Sequence, residues 1–263
     1  MNDVPILGYA KKDKWVGPFI EYLDGRMATI EEIYANTTVP MVFSGVSKSA
    51  ALTQAKKHNL PWWYIDTGYF GNARDKIWFR VTKNSHQNIY PVRPRDDLRL
   101  KKFRLDRTQY KRGRKILVVP PDIKVCSCYQ LPDPEQWVAD TVDLIKQHTD
   151  RPIEIRCRPA SRQVRMFSDT FAATLQNDVN AVVVWTSNCG TESVQHGIPV
   201  VSLGPSSVIQ VSQDIVHIDN LQDLDQQRCE DLLRWLSYNQ FTIAEMRNGT
   251  AWKILQENYE SNN

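Results

Sequence analysis

The stretch from Ala181 to Pro205 constrains this chain more than any other. Ala181-Val-Val-Val-Trp185 is a wholly apolar run of strand length and predicts a buried strand. Small and polar residues follow at once, from Thr186 to Glu192, and a helix-sized segment runs on to Gly197. Pro199 lies two residues beyond that glycine, which is helix-stop chemistry. Val200, Val201 and Leu203 then open another apolar strand. The whole is a strand–turn–helix–strand unit. Its turn is expected to present backbone N–H groups at a helix N-terminus, where an anion, above all a phosphate, is attracted.

The remaining composition is that of a globular α/β protein. The chain has 263 residues, of which 41% are hydrophobic and 24% charged, enough for one large or two small domains. No apolar run approaches bilayer-spanning length and no N-terminal stretch has signal-peptide form, so a cytoplasmic protein without a membrane segment is expected. The five cysteines include no C-x-x-C pair, so no metal site is expected.

Strands and helices alternate in two series. In the first, strands are predicted at Val4–Tyr9, Val39–Phe43, Pro61–Asp66 and Ile77–Val81, and helices at Trp15–Leu23, Ile30–Ala35 and Ser47–His58. Thr29 is the expected N-cap of the second helix, with Glu32 three residues on. Such alternation predicts a parallel sheet. Residues 93–115 then hold eleven Lys and Arg against three Asp, and read as a basic connector. The second series has strands at Ile116–Val119, Ile153–Cys157, Ala181–Trp185 and Ile215–Ile218, with helices at Pro134–His148 and Asp169–Gln176. Leu224 onward reads as a helical tail. The expected organisation is therefore 1–92, a connector over 93–114, a second domain over 115–223 and a tail over 224–263. The fold class is α/β, with two Rossmann-like domains facing a cleft and a helical C-terminal tail.

Ser187, Asn188, Cys189, Gly190 and Thr191 form the turn of the opening motif. Gly190 would let backbone approach a ligand closely, and Glu192 could accept hydrogen bonds from a ribose diol. The same residues also make an ordinary N-cap, with Glu192 favoured by the helix dipole. Arg156 and Arg158, in Arg156-Cys-Arg-Pro159, close a strand of the same half, either as phosphate ligands or as a solvated basic loop.

The order of these residues resembles the donor domain of nucleotide-sugar glycosyltransferases with the two-Rossmann GT-B fold. That domain carries a Ser/Asn/Gly-rich turn, a Glu five residues before a Gly, and then Gly-x-Pro-Val. Here these are Ser187 to Thr191, Glu192, Gly197, Pro199 and Val200. Capsule Kdo transferases and UDP-GlcNAc 2-epimerases have similar stretches. Phage-encoded glycosyltransferase-like proteins are similar also through the tail from Trp235 to Trp252. Val184 stands where many retaining members carry a second Glu, and Arg158 where the capsule enzymes have His.

The resemblance implies a metal-independent transferase with a nucleotide-sugar donor, first of all a UDP-sugar. Ser187 to Glu192, with Arg156 and Arg158, would hold the diphosphate, whose charge grows as the glycosidic bond breaks. The acceptor hydroxyl needs a base. Asp66, at the carboxyl end of a predicted strand, is the first candidate and His86 the second. The basic connector suggests a DNA acceptor carrying a 5-hydroxymethylpyrimidine, with Arg99, Lys101, Lys102, Arg104, Lys111 and Arg112 on its phosphates. The other readings are a surface-glycan or small-molecule acceptor, and a nucleotide- or DNA-binding module without catalysis.

Overall fold

The computed structural model describes residues 6–9, 14–45, 49–71, 77–157 and 170–259. They form two compact units.

The first unit contains β1 (Leu7–Tyr9), α1 (Val16–Glu21), β2 (Arg26–Met27), α2 (Ile30–Ala35), β3 (Met41–Ser44), α3 (Ser49–Lys57), β4 (Trp62–Thr67) and β5 (Phe79–Lys83). Thr29 caps α2 as expected, in a reciprocal capping box with Glu32. Strands β4, β3, β1 and β2 are parallel neighbours in that order. The all-parallel expectation fails at β5, which pairs antiparallel with β4 from Trp63↔Lys83 to Thr67↔Phe79. The link from Thr67 to Phe79 is shorter than the dozen or so residues that a parallel crossover requires.

The second unit contains β6 (Lys115–Val119), α4 (Ile123–Tyr129), α5 (Pro134–Lys146), β7 (Ile153–Ile155), α6 (Phe171–Gln176), β8 (Val179–Val184), α7 (Cys189–Gln195) and β9 (Val200–Ser202). Its sheet is parallel throughout, in the order β7-β6-β8-β9. Residues of β6 and β8 are buried on both faces, as parallel strands covered by helices must be. Ile116, Val118, Ala181 and Val183 pack with Trp137 and Ile145 of α5. Gly190 of α7 lies on the opposite face: a Cβ there would stand 2.9 Å from Val208, 3.4 Å from Val184 and 3.6 Å from Val200. The helices thus cover both faces, and the strand order reverses between β6 and β8. Asp122 caps α4 by accepting from the Lys124 and Val125 amides. One local expectation changes. Ile215–His217 is a 3-10 turn capped by Asp214 rather than a strand.

The C-terminal segment, α8 (Gln226–Ser237), β10 (Gln240–Phe241), α9 (Ile243–Arg247) and α10 (Thr250–Tyr259), is no separate helical tail. From Arg234 it belongs to the first unit, where β10 pairs antiparallel with β5 and extends the first sheet. The buried Gln240 fixes this return, its Oε1 accepting from the Tyr69 amide at 2.6 Å. Nor do residues 93–114 form a free connector: Arg93–Arg104 packs with the first unit and Leu105 onward with the second. No described helix is long and apolar enough to cross a membrane.

Candidate functional site

The opening motif lies at the carboxyl edge of the second sheet. The chain leaves β8 at Val184 and passes through Trp185 to Asn188 before entering α7. Because β6 is followed in sequence by its neighbour on one side and β8 lies on its other side, this edge is a topological switch point, where open α/β sheets bind ligands. Arg156 leaves β7 at the same edge, its amide bonded to the Val118 carbonyl at 2.9 Å. Its guanidinium donates to Thr174 Oγ1 of α6 and lies 5.8 Å from the centre of the Phe171 ring.

Within the turn the residues divide. Trp185 to Cys189 and Glu192 are half-buried, whereas Gly190 and Thr191 are buried. Gly190 is small because α7 packs against three valines, so its role is helix–sheet approach. Thr191 shares a hydrogen bond with Ser207 at 2.9 Å and turns inward. The expectation of bare amides needs correction at its first two positions. The Cys189 amide donates to Ser187 Oγ at 3.2 Å, and the Gly190 amide to the Ser187 carbonyl at 3.1 Å. Ser187 thus closes the turn ahead of the N-cap residue Asn188 and occupies the first two amides of the motif.

Glu192 is the electrostatic focus. Burial raises its pKa; His196, the Ala172 amide and Arg156 oppose that rise. Arg156 therefore acts on a half-buried carboxylate at the sheet edge. Burial also pushes the Cys189 thiol up to about 11, so it is protonated and serves as a neutral side chain. Arg158 lies outside the described residues.

Two further aromatic residues stand at this edge. The Trp185 ring is backed by Gly204, where a Cβ would meet its Cδ2 at 2.4 Å. Tyr129 at the end of α4 approaches Trp185 edge-on, with ring centres 6.2 Å apart. Trp185 Nε1 is buried and has no hydrogen-bond partner among the described residues. The sequence showed Trp185 only as the end of a strand. His196 lies four residues after Glu192, a spacing that places both on one helix face.

Asp66 and His86 come together in the first unit, around a buried arginine. Asp66 Oδ2 accepts from Tyr64 Oη at 2.9 Å and from Arg80 Nη2 at 3.0 Å, and Oδ1 accepts from the Thr67 amide at 2.7 Å. Arg80 also donates to the carbonyls of His86 and Thr67. His86 is 5% exposed, packs edge-on against Tyr64 at 4.7 Å, and has its pKa pushed down to about 4 by burial and then by Arg80 and Lys56. Both oxygens of Asp66 are engaged and His86 is enclosed, so the pair holds the sheet edge together and neither is assigned as the base.

The basic run is similarly occupied. Arg99 is 5% exposed. It donates to the carbonyls of Ser237 and Gln240 and pairs with Glu245 at 2.9 Å. It pins the C-terminal segment. Lys101 pairs with Asp97 at 2.7 Å, Lys102 lies 3.7 Å from Glu245, and Arg112 pairs with Asp223 at 2.8 Å. Arg104 and Lys111 are exposed. The charge that looked one-sided in sequence is largely balanced by acids distant along the chain.

No protein-family model and no curated protein sequence matches the chain. Solved structures do. The chain is similar to the KpsC beta Kdo 2,4 transferase of Thermosulfurimonas dismutans, with a TM-score of 0.52 and 10% identity over 92% of this chain and 93% of that one. It is also similar to the KpsC beta Kdo 2,7 transferase of the same organism, with a TM-score of 0.52 and 12% identity over 94% of this chain and 99% of that one. At this identity the likeness shows a shared GT-B-like α/β fold.

Proposed function

We propose that this chain is a glycosyltransferase that moves a sugar from a nucleotide-sugar donor to an acceptor hydroxyl. The observation that carries the reading is the placement of Arg156, Ser187, Asn188 and Glu192 at one topological switch point of an all-parallel sheet. Arg156 supplies fixed positive charge for the phosphate that leaves as the anomeric C–O bond breaks, by charge-assisted hydrogen bonds that strengthen as charge develops. Ser187 and Asn188 orient that phosphate, and Glu192 accepts from the ribose. The fixed charge of Arg156 does the work for which other transferases use a cation, and a UDP-sugar is the first donor to test. The neighbours of this fold are themselves named as Kdo transferases, which supports the reaction class.

A saccharide or small-molecule hydroxyl is the preferred acceptor. A DNA acceptor would draw on the basic run, yet Arg99, Lys101 and Arg112 are paired internally and would have to give up those partners to release counterions from phosphates.

Thermal-shift titration with UDP-, GDP- and ADP-sugars tests the donor site. A donor at about a hundred times its Kd is expected to add about 2.7 kcal/mol of stability, and Arg156→Ala is expected to abolish that gain. Stabilisation by an oligonucleotide alone would favour the non-catalytic module. Radiolabelled sugar transfer to a glycan acceptor and to 5-hydroxymethylated DNA then separates the acceptors.

A further inference from the structure

The second unit contains a cavity of about 520 Å³, within the range of small-molecule sites. It lies at the far end of α7 from the switch point. Its lining includes Val194 and Gln195, whereas the turn described above enters the helix at Cys189. Six residues of helix rise separate Cys189 from Gln195, about 9 Å.

The cavity is built by the segment that precedes β6. Gln109 Nε2 donates to the Gln195 carbonyl at 3.3 Å, and the Tyr110 amide to the His196 carbonyl at 2.9 Å. Tyr110 stacks flat on His196, with centroids 4.2 Å apart and planes 6° from parallel. His196 Nδ1 lies 2.9 Å from the Thr108 carbonyl, so it carries the proton and donates. These bonds fix the wall. They also occupy the last carbonyls of α7, whose partial negative charge would otherwise oppose an anion.

The charge inside favours an anion. Arg107, Lys111 and Arg112 face two carboxylates, Asp223 and Glu230. Arg107 pairs with Glu230, and Arg112 Nη1 with Asp223, while Lys111 has no ion-pair partner among the described residues. Buried Val194, Cys229 and Leu233 complete the lining with apolar surface.

We propose that this cavity is a second binding site, specific for a small organic phosphate with an aromatic or apolar body. The phosphate lies against the exposed Lys111 ammonium, in the field of Arg107 and Arg112, and the body rests on Val194, Cys229 and Leu233. The site is independent of sugar transfer, and its test uses no donor or acceptor.

Phenyl phosphate, inorganic phosphate and phenol are the probes, titrated into the full chain by calorimetry with NMR line positions as a second readout. Phenyl phosphate is expected to bind at least about tenfold more tightly than either fragment, and Lys111→Glu to weaken it by about tenfold or more. Lys111 is exposed and has no ion-pair partner among the described residues, so this variant is expected to keep its melting temperature. Lys111→Arg, which keeps the positive charge, is expected to retain binding within about threefold. No binding of phenyl phosphate below about 10 mM, equal binding of inorganic phosphate, or binding unchanged in Lys111→Glu would overturn the proposal.

Discussion

The carboxyl edges of the two sheets carry the same kinds of residues in opposite states. In the first unit Arg80 is buried and Asp66 meets three donors. In the second, Arg156 is half-buried and donates to the Thr174 hydroxyl, and Glu192 has its pKa raised by burial. The first arrangement engages both carboxylate oxygens of Asp66 with neighbouring donors. The second holds a carboxylate whose charged form burial disfavours, on the same sheet edge as an arginine, and perturbed groups of this kind cluster at functional sites.

The contrast is broken most severely at Arg80. Arg80→Ala strips a buried guanidinium from Asp66 and two carbonyls, with an expected loss of about 3–5 kcal/mol in urea unfolding. The equivalent change at Arg156 is expected to cost less than about 1 kcal/mol while eliminating donor binding. Equal losses at the two positions would erase the distinction.

His86 gives the next effect. Its folded pKa of about 4 lies below the ordinary 6.5, so the unfolded chain binds the proton more readily between those values. Stability is therefore full above about pH 6.5 and falls as the pH drops toward 4, by on the order of 3 kcal/mol. His86→Phe should flatten that part of a pH–stability curve; an unchanged curve would show that His86 is not the titrating group.

Glu192 has the opposite sign and the smallest effect. Its pKa is raised above 4.5, so its unfavourable contribution appears as the pH rises above the unfolded value and the folded carboxyl is forced to ionise. Glu192→Gln is expected to raise the melting temperature slightly at pH 7, while removing the stabilisation by a nucleotide sugar. A variant less stable than the parent would place Glu192 with Asp66 among residues that hold the fold.

Much of this architecture was written in local sequence. The apolar runs of β6 and β8, the Thr29–Glu32 capping box and the Gly197–Pro199 stop are short-range signals, and each stands where expected. What could not be read was long-range. Arg99 looks like one more cation in a basic run, and only the return of the C-terminal segment brings Glu245 to it. Asp66 reads as a strand-end carboxylate until Arg80 folds back on an antiparallel β5. The turn at Ser187 was legible as to place but not as to its hydrogen bonds, because a serine before a helix serves a ligand or its own backbone equally well. The sequence pattern marks the sheet edge that carries the candidate site; the pairing of charges across the chain shows which candidate residues hold the fold.

Backbone and arginine side-chain NMR during titration with a UDP-sugar tests the central claim most directly. The account predicts that the largest shifts fall on Trp185 to Glu192 and on the Arg156 guanidinium, with Tyr64, Asp66 and His86 unmoved. Shifts confined to the first unit, or none with any sugar nucleotide, would contradict it.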